Sequence, residues 1–257
     1  MGQTLQTPHG ANIAPRATDA PLMRVGSWFE DIGMVSSSVG RKFVMAITGL
    51  FLISFLVVHL SGNLLLFKDD GGAAFNAYAH FMATNGVVRL MEAVLFAGII
   101  FHFAEGVALV LKNRAARPKT YELKGDNGAT WSSRFMGALG GIITVFLVIH
   151  LADFFYKSRI ASPESGGIQV IDAEGTRNMY AAVRESFSSG LYSAVYVVCM
   201  VALAYHLLHG FRSAFQTLGL SHRGYALQIR RAGAAFSVIV PLGFAIMPIY
   251  FYLRSLN

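Results

Sequence analysis

Charged residues are scarce in this chain. They make up 14% of its 257 residues, whereas a soluble domain has about 25%, and hydrophobic residues make up 54%. The chain has one cysteine, so a disulfide within the chain is excluded and a thiolate metal site is not expected. The composition therefore predicts an integral membrane protein with one transmembrane domain. Cys199 lies in an apolar run and is expected to be a small buried hydrophobe.

The positive net charge of the chain does not indicate a nucleic-acid partner. Its net charge is +7, but the basic residues flank apolar stretches, which is typical of membrane topology. Residues 1–35 contain several charges and no continuous apolar core, so they do not resemble a signal peptide. We expect residues 1–35 to form a flexible cytoplasmic tail and residues 36–257 to form the transmembrane domain.

Five apolar stretches predict the fold, an all-α integral membrane bundle of five transmembrane helices in the lipid bilayer. Each stretch is long enough to cross about 30 Å of hydrocarbon at about 1.5 Å per residue. They lie near 41–67, 87–112, 135–157, 190–215 and 233–253. The segment AAFNAYAHFMATNG between the first two predicts a short interfacial helix. Two prolines, Pro241 and Pro248, are expected to kink the fifth helix.

Lysine and arginine are distributed unequally between the two sides of the predicted bundle. The side that holds the N-terminus receives Arg41, Lys42, Arg114, Arg117, Lys119, Lys124, Arg134, Arg223, Arg230 and Arg231, and the other side receives Lys68, Arg159, Arg177, Arg184 and Arg254. The positive-inside rule therefore predicts a multi-pass protein of the cell inner (cytoplasmic) membrane with a cytoplasmic N-terminus.

One histidine in each of the first four stretches carries the functional hypothesis, because a bilayer penalises ionisable side chains. Two of them, His59 and His150, lie past the middle of outward-running helices, about 6–8 Å toward the outer face. The other two, His102 and His206, lie past the middle of inward-running helices, about 4–5 Å toward the cytoplasm. The four histidines therefore sort by depth into two pairs, about 11 Å apart along the membrane normal.

Two histidines at one depth on different helices suit the iron of a haem b, which takes axial imidazoles from opposite sides. The sequence therefore predicts two haems b, one for each pair. Glycines three or four residues from these histidines would leave room for a flat macrocycle on the same helical face, namely Gly62, Gly98, Gly106 and Gly210. A second histidine in the fourth stretch, His209, could compete with His206, which is preferred because Gly210 then follows it by four residues.

The first apolar stretch resembles a known family. SSVGRKFVMAITGLFLISFLVVHLSGNLLLF is similar to the first span of the succinate dehydrogenase cytochrome b subunit, in the single-subunit, five-helix, di-haem form shared with fumarate reductases. The matching elements are Gly40-Arg41-Lys42, Met45-Ala46, Thr48-Gly49, His59-Leu60 and Gly62-Asn63. The stretch HLLHGFRSAFQTLG resembles the H-x-x-x-G-x-R motif of succinate dehydrogenase membrane anchors, with His206, Gly210 and Arg212 at its three positions.

This resemblance covers roughly residues 36–253 and implies a role in electron transport. Such a subunit anchors a flavoprotein subunit and an iron–sulfur subunit, which interconvert succinate and fumarate in the tricarboxylic acid cycle, so no succinate-oxidising catalytic residue is expected in this chain. The resemblance implies that His102 and His206 hold the iron of a proximal haem, and His59 and His150 that of a distal one. It also implies a membrane quinone as redox partner, usually menaquinone, and a cofactor-binding role for Arg212.

The quinone site is less defined by the sequence. Polar groups at the outer interface, His80, Arg89 and Glu92, are candidates for quinone binding, and a solvated role is as reasonable for each.

Two other functions stay open on the sequence. One is the haem b subunit of another membrane redox complex, although such subunits place their histidines in other patterns. The other is a haem-free transporter that uses intramembrane histidines as a proton relay, which predicts broken helices near the membrane centre.

Overall fold

The computed structural model describes residues 37–115, 135–171, 175–222 and 224–257. Within these ranges the protein is all-α, and its only β-type pairing is an isolated bridge between Val170 and Arg177. The predicted tail of residues 1–35 lies outside the described residues, as does most of the basic 113–134 loop. The predicted fold class, an all-α membrane bundle, is confirmed.

Seven helices organise the described chain. They are α1 (Ser38–Asn63), α2 (Ala73–Thr84), α3 (Gly86–Ala115), α4 (Met136–His150), α5 (Met179–Ser186), α6 (Gly190–Thr217) and α7 (Ala226–Ser255). Short turns add to them: 3-10 turns at Leu64–Phe67 and Pro163–Ser165, and a π-helical turn at Leu151–Tyr156 that continues α4 into Lys157–Arg159.

Five helical segments are long and apolar enough to span a membrane, as the sequence predicts. They are Val39–Phe67, Gly86–Ala115, Met136–Arg159, Gly190–Thr217 and Ala226–Ser255. The main difference is at the fifth, which begins at Ala226 rather than near 233 because the polar segment before the apolar run joins the helix. The helix continues through Pro241 and Pro248, both of which are buried.

Side-chain caps define where several helices begin. The Ser37 hydroxyl accepts a hydrogen bond from the Gly40 amide at 2.9 Å, and so caps α1. The Asp70 carboxylate accepts from the amides of Gly72 and Ala74 at the start of α2. These side chains satisfy amides that have no partner within the helix. Gly72 has a φ of 93°, a left-handed conformation that favours glycine.

The two short helices α2 and α5 cover one end of the bundle, which we call the capped end. Buried Asn76 joins them, because its amide donates to the Asn178 side chain at 3.2 Å and its carbonyl accepts from the Tyr180 amide at 2.9 Å. Beneath them lies the largest buried cluster, made of Leu66, Phe75, Val183, Phe187, Tyr196, Met247 and Phe251. Of the two buried clusters in the described chain, the larger one therefore lies at the capped end.

The opposite end carries Arg114 at the close of α3 and Arg230 and Arg231 at the start of α7, all exposed. We call it the basic end. Between the two ends, only 6% of the most apolar window of each of the first three spans is buried within the chain. A surface of this kind suits contact with lipid.

Candidate functional site

Two pairs of histidine rings lie side by side in the bundle, and they are the pairs that the sequence analysis grouped by depth. The ring centres of His59 (α1) and His150 (α4) are 5.8 Å apart, with ring planes at 87°. The ring centres of His102 (α3) and His206 (α6) are 6.3 Å apart, with ring planes at 70°. Each pair therefore joins two different helices. The ring that lies beside His102 is that of His206, the histidine preferred over His209.

The spacing of both pairs fits two imidazoles that share one metal. With metal–nitrogen bonds of about 2 Å, and ring centres about 1.1 Å beyond the nitrogens, ring centres on opposite sides of a metal lie about 6.2 Å apart. The observed 5.8 and 6.3 Å bracket this value. No group of three or more metal-binding side chains occurs among the described residues, so each site offers two protein ligands. Two imidazoles from two helices suit a haem iron that takes both of its protein ligands from histidines.

The hydrogen bonds of Thr48 on α1 favour one proton position on His102. The Thr48 hydroxyl donates its one hydrogen to the Val44 carbonyl at 2.8 Å. Its oxygen also lies 3.1 Å from His102 Nδ1 and can accept from it. With the Thr48 hydrogen on the Val44 carbonyl, the His102 tautomer that completes this contact carries its hydrogen on Nδ1 and keeps a free lone pair on Nε2. This arrangement is typical of metal-binding histidines, whose second ring nitrogen donates to a nearby acceptor.

Two glycines lie beside the rings of His102 and His206. Gly49 follows Thr48, and a Cβ placed on it would lie 3.3 Å from Cε1 of His102. A Cβ on Gly140 would lie 4.0 Å from Cε1 of His206. Among the described residues, no group is within hydrogen-bonding distance of the buried Nδ1 of His206. The two glycines therefore let α1 and α4 approach the histidine rings closely.

Aromatic rings surround the His59–His150 pair. His59 stacks on Phe55 at 5.2 Å and lies 5.5 Å from Phe244. His150 stacks on Phe146 at 5.7 Å and lies 5.3 Å from Phe154. These rings exclude water from the pair and supply flat apolar surfaces beside it.

The polar partners of this pair differ from those of the other one. Asn63 lies one turn after His59, and its amide nitrogen donates to the His59 carbonyl at 2.8 Å while lying 3.4 Å from Nδ1. His150 Nδ1 lies 3.5 Å from the Tyr196 hydroxyl. His150 is also the last residue of α4 before the π-helical turn, a rare geometry that often occurs at functional sites.

The two pairs lie at different levels of the bundle. On α1, Thr48 contacts the ring of His102, and His59 lies eleven residues further along the same helix. At helical rise this separates the two contacts by about 16 Å. His150 contacts Tyr196 of the cluster at the capped end. The His59–His150 pair is therefore nearer the capped end, and the His102–His206 pair nearer the basic end.

The four predicted cofactor-contact glycines have other neighbours in the structure. A Cβ on Gly62 would lie 2.3 Å from the Tyr78 ring, and one on Gly98 would lie 3.0 Å from Phe51. For Gly106 and Gly210 the nearest groups are the methyl ends of Met45 (3.6 Å) and Met136 (4.0 Å). Their contact with a macrocycle stays a prediction. The glycines that contact the paired histidine rings are instead Gly49, beside His102, and Gly140, beside His206.

Arg212, the last predicted cofactor-binding residue, lies six residues beyond His206 near the end of α6. It lines a cleft of about 360 Å³ together with Phe215, Gln216, Ser221, Ala226, Ile229 and Arg230. The cleft lies between the end of α6 and the start of α7, at the basic end. The structure therefore places Arg212 on the same side of the bundle as the His102–His206 pair.

The candidate quinone residues are only partly brought together. Glu92 forms an ion pair with Arg89 and a second one with Arg159, at 3.3 Å. The Arg159 guanidinium also donates to the carbonyls of Ala83 and Met82 at the end of α2. Glu92 therefore ties α3 to the end of the third span and, through Arg159, to α2. The backbone carbonyl of His80 accepts a hydrogen bond from the Thr84 hydroxyl. A role of the His80 side chain in quinone binding stays a prediction.

Three features near the histidines were missing from the sequence analysis. Thr48 was noted only as part of a motif. It lies eleven residues before His59 on the same helix, which places it at the level of the other histidine pair. Glu105 is 5% exposed, and its Oε2 has no hydrogen-bond partner among the described residues. Glu105 could have been noticed in the sequence, because it is an acidic residue in an apolar run, one turn after His102. The third feature is a chain of tyrosines that leads from His150 to Asp153.

Comparison with known proteins adds no relative of this chain. No family model, no curated protein and no solved structure matches it. The functional assignment therefore depends on the residues of the chain itself.

Proposed function

We propose that this chain is the membrane anchor and di-haem cytochrome b subunit of a succinate:quinone oxidoreductase. In this proposal it passes electrons between an iron–sulfur subunit and a membrane quinone, for which we expect menaquinone. The observation that carries the proposal is the presence of two histidine pairs at the spacing of shared imidazole ligation, held by four different membrane-spanning helices.

Support for the particular complex comes from the sequence. The resemblance of the first span to the succinate dehydrogenase cytochrome b subunit includes Thr48 and Gly49, which contact His102 in the structure. The H-x-x-x-G-x-R resemblance includes His206, the other member of that pair. A haem-free transporter is less well supported, because it predicts broken helices near the membrane centre, and the fifth helix is continuous through both of its prolines.

Each part of the site has a task in this proposal. When bound, a haem b supplies one-electron chemistry at its iron. His102 and His206 would hold one iron, and His59 and His150 the other. Thr48 holds His102 with its Nε2 lone pair free, and the phenylalanines around His59 and His150 exclude water. A dry surrounding with fixed ligands lowers the reorganisation that accompanies a change of charge.

The arrangement of the two pairs also fits transfer across the membrane. In the proposal the basic end is cytoplasmic and contacts the iron–sulfur subunit through its exposed arginines. The His102–His206 pair would then receive electrons first, and the His59–His150 pair would pass them to a quinone near the capped end. Arg117, Lys119, Lys124, Arg134 and Arg223 were predicted for the same surface and lie outside the described residues.

Haem content of alanine variants tests the proposal. The purified chain should contain two low-spin haems b by the pyridine haemochrome assay. His59→Ala and His150→Ala should each remove one haem, and His102→Ala and His206→Ala should each remove the other. His209→Ala is the matched control and should keep both haems. A wild-type chain without haem would refute the proposal, and haem loss in His209→Ala with retention in His206→Ala would reassign the ligand.

A second measurement tests the complex rather than the haems. Affinity purification from the native membrane should recover a flavoprotein and an iron–sulfur protein with succinate:quinone activity. A chain with two haems that purifies instead with other redox subunits, and lacks this activity, would belong to another membrane redox complex.

A further inference from the structure

A continuous chain of hydrogen bonds joins His150 to a charged pair at the end of the third span. The Lys157 ammonium donates to Asp153 Oδ1 at 2.7 Å, and the Tyr192 hydroxyl donates to Asp153 Oδ2 at 2.6 Å. The hydroxyls of Tyr192 and Tyr196 are 2.9 Å apart, and the Tyr196 hydroxyl is 3.5 Å from His150 Nδ1. Asp153 lies in the π-helical turn, and the tyrosines lie one turn apart on α6.

The direction of each hydrogen bond follows from the ion pair. A carboxylate can only accept, so Tyr192 gives its single hydroxyl hydrogen to Asp153. The Tyr192 oxygen must then accept from Tyr196, and this uses the only hydrogen of Tyr196. The Tyr196 oxygen is left as an acceptor toward His150. For this last contact to be a hydrogen bond, His150 Nδ1 must carry a hydrogen, which leaves the lone pair of its Nε2 free.

We infer that Asp153 is a positioning residue that acts through Tyr192 and Tyr196 to hold His150 in the Nδ1–H form and to strengthen Nε2 as a ligand. A histidine that donates to an anchored acceptor is a more basic ligand. A more basic ligand stabilises the oxidised form of a bound iron, and so lowers its reduction potential. This inference rests on the proposed function, since it concerns the iron that His59 and His150 would hold.

The inference is specific to one of the two histidine pairs. His102 donates to a neutral threonine whose hydroxyl is anchored on a backbone carbonyl. Among the described residues, His206 Nδ1 has no hydrogen-bond partner at all. Neither histidine is therefore linked by its Nδ1 to a carboxylate. The hydrogen bonds from Asp153 should act only on the haem near the capped end. The other haem therefore serves as an internal reference in every variant.

The inference is tested by redox titration of the full chain in its complex. The optical spectrum of each haem reports its midpoint potential during the titration. Tyr196→Phe removes the acceptor for His150 without changing charge. Asp153→Asn removes the charge and supplies an amide that can donate to Tyr192, so the hydrogen bonds can reverse. Both variants should keep two haems and should raise the midpoint potential of the haem held by His59 and His150, leaving the other potential unchanged. Tyr156→Phe is the matched control, because this exposed tyrosine lies in the same turn, and both potentials should stay unchanged.

The possible contrary outcomes are distinguishable. Unchanged potentials in both Tyr196→Phe and Asp153→Asn, with two haems bound, would overturn the inference and leave the proposed function intact. A rise in Asp153→Asn alone would assign the effect to charge across space, and would also overturn it. If the wild-type chain binds no haem, the proposed function fails instead. Low-spin electron paramagnetic resonance signals give a second readout, since only the signal of the His59–His150 haem should shift in Tyr196→Phe.

Discussion

Replacing Thr48 by valine separates the hydrogen bond to His102 from the packing around it. Valine has nearly the shape of threonine but no hydroxyl, so the contact of 3.1 Å between Oγ1 and His102 Nδ1 is lost while the volume is kept. The Nδ1–H of His102 is then left without its acceptor within a membrane span. A buried donor without a partner costs about 1–3 kcal/mol.

The same change should appear in haem binding. Loss of the outer partner of a metal-binding histidine weakens binding about 10- to 100-fold, which corresponds to about 1.4–2.8 kcal/mol at 1.4 kcal/mol per tenfold. This agrees in size with the cost of the unpaired donor. We therefore expect Thr48→Val to bind the haem of the His102–His206 pair 10- to 100-fold more weakly and to bind the other haem normally. The measurement is a haem titration of the apo-chain, followed by absorbance.

Serine at the same position is the matched control. Thr48→Ser keeps the hydroxyl that donates to the Val44 carbonyl and accepts from His102, so it should keep wild-type haem affinity. If Thr48→Val binds both haems as tightly as wild type, the hydrogen-bond direction deduced for Thr48 does not determine the state of His102. If serine and valine weaken binding equally, the cause is packing rather than the hydrogen bond.

Two further predictions concern the contacts that hold the capped end. Gly62→Ala places a Cβ where the Tyr78 ring lies, at 2.3 Å, so we expect a destabilisation of about 1–3 kcal/mol from overpacking, measured by thermal unfolding in detergent. Gly141→Ala has nothing within 4 Å and should not destabilise, because alanine is favoured over glycine within a helix, and equal destabilisation in the two variants would disprove the steric cause. Glu92→Gln should lose quinone turnover while keeping both haem spectra and succinate oxidation with artificial dyes. Full quinone activity in Glu92→Gln would remove Glu92 from the quinone site and leave it a structural link to Arg159.

Hydropathy and helical rise were sufficient to predict the five spans and to group the four histidines into the pairs that lie side by side. Depth along a helix depends only on residue number, because each residue adds a fixed rise. Two histidines at similar positions past the middle of helices that run in the same direction therefore share a level, whatever the packing. This is why His102 and His206 could be paired before their helices were placed.

Contacts around the histidines could not be predicted in the same way, because they depend on how each helix is rotated about its axis. Gly62 was expected beside a macrocycle because it shares a helical face with His59. In the structure the same glycine accommodates the ring of Tyr78 from α2. Thr48 and Tyr196 meet histidines of other helices for a similar reason: helix crossing, rather than sequence spacing, brings them together.

The extra residue in the π-helical turn has a consequence for how this chain should be aligned with others. A π-turn amounts to one residue inserted into an α-helix, and one residue corresponds to a rotation of about 100°. A related chain without that residue would keep an equally apolar third span. Its acid in the position of Asp153 would nevertheless point away from Tyr192. In such an alignment the gap belongs inside the membrane segment, between His150 and Lys157, and not in the loop that follows.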